Sequence, residues 1–524
     1  MTAFSWVDGS IVGLYLLATM IAGVMVRKYV GKVEDFLVAG REMNVYLGIA
    51  SLAATEFGIV TCMYSAQSGF KYGFAGVFPG MAQFLAMFFV GWTGLCVKPL
   101  RDSGVITIPE LLDQRFGSRV RWATGVVIVL GGLLNMGVFL RVGGEFLMVV
   151  TGLSQISTGI PVLDAKKLEI TMTILLIGVA TYTVLGGMLS VLVTDFLQFV
   201  VMSIGLLAVT LLILGGLGWS ALVKTVETGY GAAGFNPLSN PELGWEYVLF
   251  NLLVNTAAVL TWQTSIARVL AAKDTATGRK VYTRTSFFFL CRWVIPGLWG
   301  IAALAIALSV AGGQRAAACL ASWIPGVWGI APVAMMPVPA DSLHAMPGFL
   351  ATFLPMGLMG ILVAAMLAAD MSTDSSYMLT WGGVIYNDIL APFRRHRHWS
   401  ERKGLFWNRT IVALIGVFLL FYGLWYPLKG DLWSYLAVTG TIYLASISTL
   451  LIACCYWPLA NSWGAAAAII CGATIPVAYL VCEQLPYTKE LAGRIGPSWA
   501  GVATYLIVGL AMVVGSLLKP QSTK

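Results

Sequence analysis

Asp370, Ser372, Thr373 and Asp374 fall within two helical turns in AAMLAADMSTDSS (364–376), next to the apolar run GFLATFLPMGLMGILVAAMLAAD. Hydrocarbon satisfies neither hydroxyls nor carboxylates, so such a cluster lines a polar cavity or an ion path. On a helix, Ala369, Ser372 and Thr373 share one face at i, i+3 and i+4. Hard monovalent or divalent cations take oxygen ligands of this kind. The hydroxyls can equally back-bond their own helix. Asp195, in an apolar run that starts near Met188, lies about 10 Å inside that run at 1.5 Å per residue. Ser372, seven residues before the inner end of an oppositely directed run near Leu379, lies at the same depth. The sequence therefore points to one small-cation site with Asp195 beside it. Asp370 sits about 100° round the helix from Ala369; a counter-charge, a proton carrier and a vestibule residue all remain open for it.

Further polar residues interrupt other apolar runs. Glu56 stands in SLAATEFGIVT (51–61) beside Gly58. Small and polar residues at mid-span suit a helix that unwinds and frees carbonyls; an intact helix with Glu56 at a packed interface is the alternative. Arg141 and Glu145 are spaced i, i+4 and can pair, or Arg141 can meet an anionic solute. Arg292 has no local partner. Trp262 and Gln263, with Asn251 and Asn255, make their span unusually polar, which fits either a solute contact or an interhelical hydrogen bond. No nucleophile and base stand at a credible spacing, so no enzymatic activity is expected.

These residues must be held by membrane helices. The chain has 524 residues, 58% hydrophobic and 11% charged, with mean hydropathy +0.83. Apolar runs long enough to span a bilayer predict about 13 transmembrane helices. About 22 of the 32 Lys and Arg cluster after spans 1, 3, 7 and 9 and at the C-terminus, Arg268 among them. The positive-inside rule then places the N-terminus outside and the C-terminus in the cytoplasm of a multi-pass cell (inner) membrane protein. The first span lacks a basic n-region and a cleavage site and reads as a retained helix. This distribution explains the net charge of +8 without a nucleic-acid partner. Eight cysteines without a C-x-x-C pair and three histidines give no disulfide framework or transition-metal site.

Several blocks carry a family resemblance. TYTVLGGMLSVLVTDFLQ (181–198), DFLVAGREM (35–43), ITIPELLDQRFG (106–117), QTSIARVLAAKD (263–274) and AAMLAADMSTDSS (364–376) resemble, in order and spacing, the sodium:solute symporter family. The resemblance covers roughly residues 7–460. It implies an all-α polytopic fold, the five-plus-five inverted repeat of leucine-type transporters. Residues 1–44 would form a leading helix and loop, 45–215 the first five-helix repeat, 216–456 an outer loop and the second repeat, and 457–524 two trailing helices and a short tail. It further implies a sodium site from the carbonyls of Ala54, Phe57 and Ala369 and the hydroxyls of Ser372 and Thr373, with Asp195 nearby. Glu56 falls where the family's proline transporters carry an essential aspartate. The sugar-gripping residues of sugar-transporting members do not align, and DLWSYLAVTG (431–440) lacks the expected glutamine. Asp370 replaces a usually apolar residue.

The expected function is sodium-coupled import of a small organic solute, an amino acid or carboxylate, by alternating access. Sodium is the coupling ion and the bilayer the medium, and a monomer would suffice. Glu56, Arg141, Trp262 and Gln263 are the expected solute contacts. Proton coupling through Asp370, Glu56 or Asp195 is the rival within the class. A transporter-like sensor is the rival outside it, but such proteins usually append a signalling domain, and here about six residues follow the last span.

Overall fold

The computed structural model describes residues 4–153, 159–311, 342–394, 399–425 and 431–519. Most of an outer loop expected at about 312–347, and the tail beyond 519, lie outside them. The described residues are almost entirely helical; the one β-type pairing among them is an isolated parallel bridge between Met43 and Ala272. Ten of their helices are long and apolar enough to cross a membrane. The expected count of about 13 is not confirmed by that number. Part of the difference has a physical cause: two expected spans follow one another across a turn at Gly187 with no loop between them, and others are split into short pieces.

The principal helices are α1 (Trp6–Val26), α2 (Val45–Glu56), α3 (Ile59–Tyr72), α4 (Phe78–Thr93), α5 (Ser118–Met136), α6 (Phe139–Val150) and α7 (Lys167–Leu217). They continue as α8 (Gly244–Thr261), α9 (Gln263–Ala271), α10 (Thr275–Ala311), α11 (Leu358–Val384), α12 (Glu401–Trp425), α13 (Leu432–Tyr456), α14 (Ser462–Gln484) and α15 (Lys489–Leu518). The 51-residue α7 is folded over at Gly187, whose φ of 54° and ψ of −147° are non-helical. A Cβ there would lie 2.5 Å from both the carbonyl oxygen and the ring of Phe36. Only glycine meets both the backbone and the space requirement. The turn aims the second arm of α7, with Asp195, against α11.

Two helices are broken near mid-length. α2 stops at Glu56, Phe57 leaves helical geometry at φ −103°, ψ 58°, and α3 restarts after Gly58. α8 stops at Thr261, Trp262 is extended at φ −64°, ψ 119°, and α9 restarts at Gln263. Each break frees backbone carbonyls where a regular helix would hide them. The ends of the two broken helices are joined by the bridge: Met43 N–H donates to the Ala271 carbonyl at 3.0 Å, and Lys273 N–H to the Met43 carbonyl at 3.1 Å. Arg101 caps the same strand, Nε donating to the Ala272 carbonyl at 2.6 Å.

α11 is the central element. Nearly every residue from Met359 to Val384 is buried, as expected of a helix enclosed by others rather than facing lipid. The periphery is apolar instead: Leu14 on α1, Leu207 on α7 and Leu510 on α15 are each more than half exposed. A large apolar outer surface over a polar interior is that of an integral multi-pass membrane protein.

Candidate functional site

Asp195 is fully buried, and so are all the side chains that reach it. From α2, Ser51 Oγ donates to its Oδ2 at 2.5 Å. From α11, Ser372 Oγ donates to its Oδ1 at 2.5 Å. From α9, Arg268 Nη2 pairs with its Oδ2 at 3.0 Å. Arg268 also donates to Ser51, Thr55, Ser376 and the Thr264 carbonyl. Two residues that helix rise alone puts at one depth thus touch, and a third charged residue joins them. Sequence reading placed Arg268 in the basic loop after span 7; it lies instead wholly inside the bundle. Intramembrane neutrality was the signal that could have found it: a buried carboxylate in hydrocarbon needs a cation.

Thr373 stands one residue further along α11. Its Oγ1 donates to the Thr55 carbonyl at 2.8 Å and to the Ala369 carbonyl at 2.9 Å, clasping the end of α2 to α11. Gly58 admits this approach, because a Cβ at that position would sit 2.6 Å from Thr373 Oγ1. Ala54 and Phe57 lie at the same break, and the Ala54 carbonyl holds only a long 3.3 Å bond from Phe57 N–H. The set is therefore all oxygen, buried, and drawn from the broken α2 and from α11, the donor chemistry that a sodium ion takes.

A cavity of about 740 Å³, its open mouth included, adjoins this point. That is within the usual range for a small organic ligand. Thr55, Glu56, Thr373 and Trp262 are part of its wall, and so is Arg292. Arg292 Nη1 pairs with Glu56 Oε2 at 3.1 Å and also donates to the Glu56 carbonyl at 2.8 Å. Its Nη2 donates to Tyr64 Oη at 3.0 Å. Thr264 Oγ1 donates to Glu56 Oε1 at 2.5 Å. The partner that Arg292 lacked locally is 236 residues away in the chain. Trp262 Nε1 donates to Tyr377 Oη at 3.0 Å and its indole stacks near Tyr443.

The remaining singled-out residues lie elsewhere. Arg141 pairs with Glu145 at 2.8 Å and donates to the Gly423 carbonyl at 3.1 Å; it is not in this cavity wall. Gln263 is buried and turns back to the Thr261 carbonyl at 3.4 Å. Asp370 faces α6, where a Cβ on Gly143 would lie 2.9 Å from its Oδ1. Among the described residues, Asp370 Oδ2 and Asp374 Oδ1 are buried without a hydrogen-bond partner.

Comparison with known proteins is consistent across sequence and fold. The chain is 26% identical to the sodium/myo-inositol cotransporter of Canis lupus familiaris, over 99% of this chain and 74% of that one. It is 24% identical to the sodium/glucose cotransporter 4 of Danio rerio, over 98% and 77%. It is also 24% identical to the sodium/pantothenate symporter of Haemophilus influenzae, over 97% and 96%. A solved structure of a Na+-coupled sialic acid symporter in a substrate-bound outward-open state superposes with a TM-score of 0.77 at 16% identity, covering 99% of both chains. A crystal structure of MhsT in complex with L-phenylalanine gives 0.50 at 12% identity, over 91% of this chain and 98% of that one. These neighbours show the fold, that of leucine-transporter-type carriers. The model of the sodium:solute symporter family matches residues 36–472, and the chain belongs to that family.

Proposed function

We propose that this protein is a sodium-coupled secondary active symporter that imports a small organic solute, an amino acid or carboxylate, by alternating access. The observation that carries the reading is the buried oxygen cluster at the α2 break: Ser372 on Asp195, and Thr373 on the Thr55 and Ala369 carbonyls. Sodium would bind there through the carbonyls of Ala54, Phe57 and Ala369 and the hydroxyls of Ser372 and Thr373. It would release Thr373 from its present bonds and fix the broken end of α2 against α11. The adjoining wall that contains Glu56 and Trp262 is thereby set for the solute. A differential affinity of a few kcal/mol between the two states suffices for coupling. The sodium-named relatives support the choice of ion. The first five-helix repeat at 45–215 and the second, inverted repeat, which with its outer loop takes up 216–456, would move against each other in a monomer, with the N-terminus outside and the C-terminus in the cytoplasm. A carrier of this kind needs no covalent chemistry.

The unpartnered oxygens of Asp370 and Asp374 favour a second reading, in which protons replace sodium. Uptake into proteoliposomes decides between them. An imposed inward sodium gradient should drive accumulation that a protonophore leaves intact. Accumulation without sodium that the protonophore abolishes would refute the sodium reading.

A further inference from the structure

The cavity wall carries one opposed pair of charges, Glu56 and Arg292, and several of its other polar donors are already committed. Asn135 Nδ2 is committed to the Leu436 carbonyl and Thr439, and Asn255 Nδ2 to the Asn251 carbonyl. Thr61 Oγ1 donates to the Glu56 carbonyl, and Thr373 Oγ1 is taken by two carbonyls. Gln83 Oε1 and Nε of Arg292 are enclosed and without a hydrogen-bond partner among the described residues. Much of the rest of the wall is apolar or aromatic, with Phe139, Phe289, Trp262 and Trp433 among it.

The charged pair discriminates further. Glu56 and Arg292 are 6% and 7% exposed, so neither is left unpaired without a large penalty. A neutral solute leaves the pair closed and gains nothing from it. A plain carboxylate that takes Arg292 strands Glu56, and a plain amine that takes Glu56 strands Arg292. A solute bearing both charges exchanges partners with both and strands neither. We infer that the solute is a zwitterion with an apolar side chain, an α-amino acid whose carboxylate takes Arg292, whose ammonium takes Glu56, and whose side chain lies among the aromatic residues. This rests on the symport reading and narrows its solute class, away from the inositol and glucose named for the relatives.

The partner exchange also reaches the break in α2, since Arg292 Nη1 holds the Glu56 carbonyl as well as its carboxylate. Drawing Arg292 onto the solute loosens that grip beside Ala54 and Phe57.

The test is a ligand series on the purified full-length protein in detergent, with thermal stability read against ligand concentration in sodium and in potassium. The zwitterions are proline, valine, leucine, methionine and phenylalanine. The matched probes for leucine are isoamylamine, which lacks the carboxylate, and 4-methylpentanoate, which lacks the ammonium; glucose and myo-inositol are the polyols. At least one zwitterion should stabilise the protein in sodium. Its single-charge analogues should bind roughly tenfold to hundredfold more weakly, and the polyols should give no shift. In Glu56→Gln, the acid analogue should gain on the zwitterion. Sodium-dependent stabilisation by a polyol, or equal binding of the acid and the zwitterion, overturns the zwitterion inference and leaves symport standing. No shift in sodium from any compound counts against both.

Discussion

Asp195→Asn is nearly isosteric, yet it removes the charge that balances Arg268. Both side chains have zero exposure, so water cannot screen what is left. Breaking a buried ion pair from one side typically costs about 3–5 kcal/mol. The lower end applies here, because Arg268 keeps Ser51, Thr55, Ser376 and the Thr264 carbonyl as acceptors. We expect about 3 kcal/mol for Asp195→Asn. Arg268→Gln should cost a similar amount, since Asp195 would retain only hydroxyl donors, those of Ser51, Ser372 and Thr55. The double variant removes both charges and should recover about 2 kcal/mol relative to the sum, the range for residues in direct contact. The assay is denaturant unfolding of the four purified proteins, followed by tryptophan fluorescence. Losses that add to within about 0.5 kcal/mol would show independent residues and refute the reasoning. The same variants should lose sodium-driven accumulation, so stability and transport must be read on the same preparations.

Ser372→Ala with Thr373→Ala removes two of the proposed sodium oxygens and should raise the half-saturating sodium concentration by roughly tenfold or more; unchanged sodium dependence of uptake would sink the assignment. Asp370→Val deletes a buried carboxylate with an unpartnered oxygen and should stabilise the protein by about 1–3 kcal/mol in an unfolding titration. If Asp370 is peripheral, sodium-driven uptake persists in that variant; abolished uptake would make the residue central. Gly187→Ala forces a Cβ to 2.5 Å from Phe36 at positive φ and should cost about 2 kcal/mol or more, read as lost thermal stability. A well-folded variant would show that the turn tolerates a side chain.

Much of this architecture is legible in the chain because membrane helices are local objects. Apolar length gives the spans, Gly58 and Glu56 mark the break between α2 and α3, and rise per residue puts Ser372 level with Asp195. The pairings are not local. Glu56 finds Arg292 and Asp195 finds Arg268 across 236 and 73 residues, and periodicity carries no information at that range. Arg268 was hidden for a further reason: an arginine next to Lys273, Arg279 and Lys280 counts as one more loop charge unless its own burial is known. Helix number is blurred for the opposite reason. The chain turns at Gly187 with no loop between the two arms of α7, while the break at Trp262 divides one span into two pieces.

The bridge between Met43 and Ala272 is made of main-chain groups alone. Side-chain replacement at either position leaves its donors and acceptors in place, proline excepted. A fastening of this kind is silent to sequence drift: the residues around the solute can be exchanged, one chemistry for another, while the two broken helices stay tied at the same point. The tie constrains the machinery and leaves the cargo free to change.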